Sequence, residues 1–226
     1  MKKETLITAA VFLGVGFLAG FAFNAHRSAR QRAAAVAASG SSAQAQAAAS
    51  ADSPSASGAS AALGGSAAEI SSQLPKGHPA LTDAEVVQFF TDDAAHNPSD
   101  PAPRLKLADF LYDRHHFDQA IPWYRQALAL DPKDVDARTD MATCYFSLGN
   151  AREAVIQLND ALNYDPHHGP TLFNLAVVNM EGAHNYPAAR MALRRLAAVN
   201  PSYPGLGPLK QALDAASSAS DSAATP

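Results

Sequence analysis

Apolar and small residues recur through the middle of this chain with a period of thirty-four. Leu107, Ala108, Leu111, Ala120, Tyr124, Ala127 and Pro132 are matched one period later by Met141, Ala142, Tyr145, Ala154, Leu158, Ala161 and Pro166. Inside each set the spacings of three and four residues are those of one helical face. Each unit therefore reads as two short helices joined by a turn. A hairpin of this size cannot bury its apolar face alone, so successive hairpins must stack. The units run 101–134, 135–168 and 169–203. The third departs from the rule. Leu175 and Ala176 keep register, but Asn179 falls where a bulky residue is expected, and Ala189, Leu193, Leu196 and Pro201 resume one residue late. One extra residue is thus predicted in the turn around residues 182–185. Leu196 is also large where the first two units carry Ala127 and Ala161.

Local signals agree with these boundaries. Asp131-Pro132, Asp165-Pro166 and Asn200-Pro201 each predict a helix end, because the residue before proline avoids helical angles. Gly149-Asn150 supplies a left-handed stop followed by an N-cap. A helix over 82–96, opened at Thr82 or Asp83, offers Val86, Val87, Phe89 and Phe90 to cover the first unit. A short helix over 206–215 offers Leu206, Leu209 and Leu213 to cover the third, and the Ser/Ala-rich residues 217–226 are expected to be disordered. Stacked arrays need such end caps.

This pattern resembles the tetratricopeptide repeat family, whose helix A carries bulky, small and bulky residues and whose helix B carries small, bulky and small ones before a proline. The resemblance implies an all-α helical-hairpin solenoid of three repeats with flanking caps over 81–216. It also implies that the A helices line a concave groove used for peptides. Carried onto this sequence, the groove comprises Leu105, Asp109 and Tyr112 from the first unit, and Asp136, Thr139, Asp140, Thr143 and Phe146 from the second. The third contributes Phe173, Asn174 and Val177, with Phe173 equally readable as core. Relatives that clamp a C-terminal carboxylate place cations and asparagines where this chain has Leu105, Asp109, Asp140, Pro170 and Asn174, which argues against that specificity. The acids and aromatics of the face imply a basic or amphipathic partner segment.

The first third of the chain is of another kind. Residues 5–23 contain no charge, enough for one helical crossing of a bilayer, at ~1.5 Å per residue. Lys2, Lys3, Arg27, Arg30 and Arg32 flank this span within a basic anchor segment, 1–32. We expect an uncleaved single-pass anchor in an inner (cytoplasmic) membrane, with the N-terminus inside and the repeats periplasmic. Gly16 and Gly20, like Ala10 and Gly14, are small-xxx-small pairs, from which a homodimer through Gly16/Gly20 is expected. Residues 33–80 are rich in Ala, Ser and Gly and poor in residues able to offset the entropy of ordering, so a disordered tether is expected.

Charge and chemistry narrow the function. Between residues 81 and 203 ten Lys/Arg face sixteen Asp/Glu, a balance that disfavours nucleic acid. Cys144 is the single cysteine and sits at a packing position, so neither a disulfide nor a cysteine metal cluster can form within the chain. No phosphate loop, Gly-x-Ser-x-Gly or His-Glu-x-x-His is present. The pairs His115-His116 and His167-His168 read as solvated turns rather than metal ligands, Trp123 as packing between hairpins, and Arg190, Arg194 and Arg195 as an outer face. We expect no enzyme, cofactor or metal. The layout is similar to bacterial membrane-anchored repeat proteins of envelope complexes and cytochrome c assembly, though no Cys-x-x-Cys-His is present. The expected function is an interaction scaffold. Two alternatives stay open: a chaperone-like receptor for apocytochrome or other unfolded segments, and a self-associating spacer.

Overall fold

The computed structural model describes residues 82–223, and these form helices with no strand among them. The helices are α1 (Asp83–His96), α2 (Ala102–Asp113), α3 (Phe117–Leu130), α4 (Val135–Ser147), α5 (Ala151–Tyr164) and α6 (Gly169–Val177). A five-residue π-turn, Val178–Gly182, extends α6, and α7 (Tyr186–Val199) and α8 (Leu206–Ala223) follow. The pairs α2/α3, α4/α5 and α6/α7 are the three repeats, between the end helices α1 and α8. The expected anchor, its Gly16/Gly20 face and the tether lie outside the described residues. Among the described residues, no helix is long and apolar enough to cross a membrane.

The repeated punctuation sets where helices stop. Asp131, Asp165 and Asn200 each accept, through the side chain, the backbone N–H two residues on, at 3.1, 2.9 and 3.1 Å. These Asx turns recur ahead of each next unit and hold the proline after each cap out of the helix. Within each hairpin the residue before the helix B cap is left-handed: His115 at φ 60°, Gly149 at 79° and His184 at 50°. α1 opens with a reciprocal capping box between Thr82 and Glu85.

Alanines fix the approach of the paired helices. Ala108 and Ala120, Ala142 and Ala154, and Ala176 and Ala189 are fully buried. A larger side chain at such a contact would separate two close-packed helices. Leu196 breaks the small-residue rule in the third repeat, and its compensation lies across the interface. Gly169 stands at the first position of that repeat, and a Cβ there would sit 3.6 Å from Leu196 Cδ1 and 3.0 Å from the Tyr203 ring.

Two features differ from the sequence expectation. The extra residue of the third repeat is taken up at Val178–Gly182, just before the anticipated turn. The backbone N–H of His116 reaches the carbonyl of Leu111, and that of Asn150 reaches Tyr145, a span of five residues each. The third equivalent, Asn185 to Asn179 at 2.7 Å, spans six. Asn179 is buried where its counterparts are bulky because its side-chain amide donates to the Leu175 carbonyl at 2.8 Å. The C-terminal helix also continues past 215 to Ala223, so residues 217–223 are helical rather than a disordered tail. Ser217 supplies the reason: it is buried, and its Oγ accepts from Arg190 Nη2 at 2.6 Å. Arg190 also reaches Asp214 at 3.3 Å, so it ties α7 to α8 rather than only facing solvent.

Candidate binding face on the A helices

The positions expected to line a groove fall on α2, α4 and α6, and the fold sorts them into two sets. Leu105, Asp109, Tyr112, Asp136, Thr143, Phe146 and Asn174 are half-buried. Thr139 (3% exposed), Asp140 (6%) and Val177 (3%) are buried rather than on the surface expected of them, and Phe173 (2%) takes the core place that was its other reading. Each correction has a local cause where the packing names one. Thr139 donates its hydroxyl to the Val135 carbonyl at 2.8 Å and meets the Thr171 hydroxyl at 2.6 Å. The Phe173 ring packs 5.5 Å from that of Tyr203, and a Cβ added at Gly205 would stand 3.2 Å from it. Burial pushes the Tyr203 phenol up to about 12. Val177 and Asp140 have turned into the core.

Polar contacts join the second and third repeats across this face. Asn174 Nδ2 donates to Thr143 Oγ1 at 3.3 Å, linking α6 to α4. His168 lies between Asp136, 3.2 Å from Nε2, and Thr171 Oγ1, 2.6 Å from Nδ1. The second histidine pair is therefore not a plain solvated turn: His167 is exposed, while His168, the N-cap of α6, fastens α6 to α4. His115 and His116 are exposed, and among the described residues no group of three His, Cys, Asp or Glu is arranged to hold a metal. Cys144 is fully buried, and Trp123 is half-buried against the core.

The acids of the face are engaged inside the fold as well as facing outward. Asp109 accepts from the fully buried Tyr124 hydroxyl at 2.7 Å, and Asp136 pairs with His168. A functional candidate absent from the sequence reading is Glu181, on the π-turn. Its Oε1 is buried and has no hydrogen-bond partner, and desolvation raises its pKa above the ordinary carboxylate value. The sequence signal was the one-residue offset of the third repeat, which marks where the helix must deform but not which side chain the deformation presents.

Residues 111–176 match the Tetratricopeptide repeat family model. The fold is similar to a crystal structure of MamA, with a TM-score of 0.50 at 15% identity, over 63% of this chain and 91% of that one. It is also similar to YrrB, described as a TPR protein with an unusual peptide-binding site, with a TM-score of 0.52 at 20% identity, over 57% and 66%. A tetratricopeptide repeat protein from Parabacteroides merdae aligns with a TM-score of 0.55 at 18% identity, over 61% and 55%. At these identities the likeness is one of fold. Matched repeat sequence, recurring turns and stacked helical hairpins together make residues 111–176 a tetratricopeptide repeat region.

Proposed function

We propose that this protein is a membrane-anchored scaffold whose A-helix face binds a basic or amphipathic segment of a protein partner in the bacterial envelope. The observation that carries the binding reading is the row of half-buried side chains on α2, α4 and α6. Leu105, Tyr112 and Phe146 offer apolar contact, while Asp109, Asp136, Thr143 and Asn174 offer polar groups beside it. Such a mixture suits a peptide with alternating apolar and polar anchors. Support for the family use of the fold comes from the repeat match itself, and YrrB is described as having a peptide-binding site. Anchoring rests on the uncharged residues 5–23 and their basic flanks, and the periplasmic placement rests on the same segment.

Site-specific photo-cross-linking in membranes tests this reading. A benzophenone side chain at Tyr112 or Asn174 is expected to capture a partner, whereas one at the exposed Met191 or Arg194 on α7 is not. Adducts from α7 alone would move the binding surface off the A helices. Asn174→Lys is expected to weaken capture by at least several-fold through like-charge repulsion. A partner taken equally well by the wild type and Asn174→Lys would remove the basic-segment component.

A further inference from the structure

Glu181 is a half-buried residue on the π-turn that follows α6, seven residues after the half-buried Asn174. The π-turn that carries it packs tightly on α4 and α5. A Cβ on the adjacent Gly182 would lie 2.6 Å from Ala151 Cβ and 2.8 Å from Phe146 Cε2. Glu181 therefore stands next in the chain to the residue that touches Phe146, the half-buried aromatic in the last turn of α4. Two buried side-chain polar atoms among the described residues lack a hydrogen-bond partner: Arg138 Nε and Glu181 Oε1. Arg138 uses its other nitrogens on Gln157 and the Pro132 carbonyl. Glu181 forms no ion pair with a described residue. An acceptor removed from water and given no donor is unfavourable in the free protein. Glu181 as a whole is half-buried, so a donor from outside reaches the carboxylate at its accessible edge rather than at Oε1. π-turns inside helices are frequent at functional sites.

We propose that Glu181 and Phe146 form a subsite for one lysine or arginine side chain of the bound segment. The apolar stem lies along the Phe146 ring, and the cationic head donates to the Glu181 carboxylate. A charge-assisted hydrogen bond in a partly desolvated site is stronger than a neutral one. An apolar residue of the same length leaves the carboxylate unsatisfied, and a neutral amide offers it only the weaker, uncharged hydrogen bond. This subsite rests on the A-helix face being the binding surface, and it names what that face selects.

The full-length chain, as wild type and as Glu181→Gln, is applied to immobilised amphipathic peptides identical except for one central residue: Lys, Arg, Gln or norleucine. The wild type is expected to retain the Lys and Arg peptides about ten-fold better than the neutral pair. Glu181→Gln is expected to bind all four alike. Retention by the wild type without a preference for charge overturns the subsite and leaves the binding face standing. Retention of no peptide by the wild type overturns both. Thermal melting as a function of pH gives a second readout that does not depend on a ligand. A carboxyl with a raised native pKa binds more protons folded than unfolded, so its contribution to stability falls as pH rises through the window above 4.5. Glu181→Gln lacks that loss and is expected to melt higher than the wild type at pH 7, the gap closing below pH 4.5. A lower melting point for the variant at pH 7 would mean that the fold itself satisfies the carboxylate, and would overturn the proposal.

Discussion

Truncation of Tyr124 to alanine is expected to cost about 3–5 kcal/mol of folding stability. The side chain is the largest fully buried one in the first repeat and lies among Ala108, Ala120, Leu107 and Leu111 in a continuous core. Removing it leaves a cavity between two helices held close by alanines, which have little freedom to collapse inward. Its hydroxyl adds a second, separable contribution, because it donates to the half-buried Asp109 at 2.7 Å. Tyr124→Phe keeps the ring and removes only that donor, for an expected loss of roughly 1–3 kcal/mol. Urea unfolding followed by far-ultraviolet circular dichroism measures both. A loss below about 1 kcal/mol for the alanine variant would contradict the packing account. Equal losses for the two variants would show that the hydrogen bond, rather than the ring, dominates. The phenylalanine variant also connects stability to the proposed binding face. Asp109 loses an internal donor there, and a cationic partner is expected to bind more tightly as the fold weakens.

Tyr124 shows how far the sequence could be read. Its place in the core follows from the thirty-four-residue period alone, as do those of Ala108, Ala120, Leu158 and Ala161, because position in a repeat dictates which side faces the paired helix. The turns were legible for the same reason: Asp-Pro, Asn-Pro and Gly-Asn act through local backbone geometry, and they do so here without help from distant residues. Contacts between successive A helices were less legible. His168 meets Asp136 from thirty-two positions away, and nothing in either residue's neighbourhood announces the pair. Val177 read as groove, and Phe173 as readily groove as core, because they occupy the register that Leu105 and Asp109 occupy in the first repeat. The third repeat, however, is covered by the Tyr203–Gly205 loop, so equal register does not bring equal exposure. Leu196 looked like a defect of the repeat until Gly169 supplied the missing room. In each case the repeat register specified the position, and contacts distant in sequence decided what its surface became.

Replacement of Gly182 by alanine is expected to have the other large effect, and it tests the π-turn directly. A methyl group there would stand 2.6 Å from Ala151 Cβ and 2.8 Å from the Phe146 ring, both inside van der Waals contact. Phe146 is half-buried and its ring is a side chain able to shift, but Ala151 begins α5 and its Cβ is fixed by the backbone that Asn150 caps. The turn must therefore move away from α4 and α5, for an expected loss of about 1–3 kcal/mol. Ala151→Gly removes the fixed half of the clash, so the double variant is expected to recover much of that loss beyond simple additivity. Additive losses in the double variant would show that Gly182 is needed for its backbone rather than for the space beside Ala151. The same displacement carries Glu181 away from Phe146. Gly182→Ala is therefore expected to abolish the preference for Lys- and Arg-bearing peptides, and the double variant to restore it. A charge preference that survived in Gly182→Ala would separate Glu181 from Phe146 and leave the aromatic ring without a part in recognition.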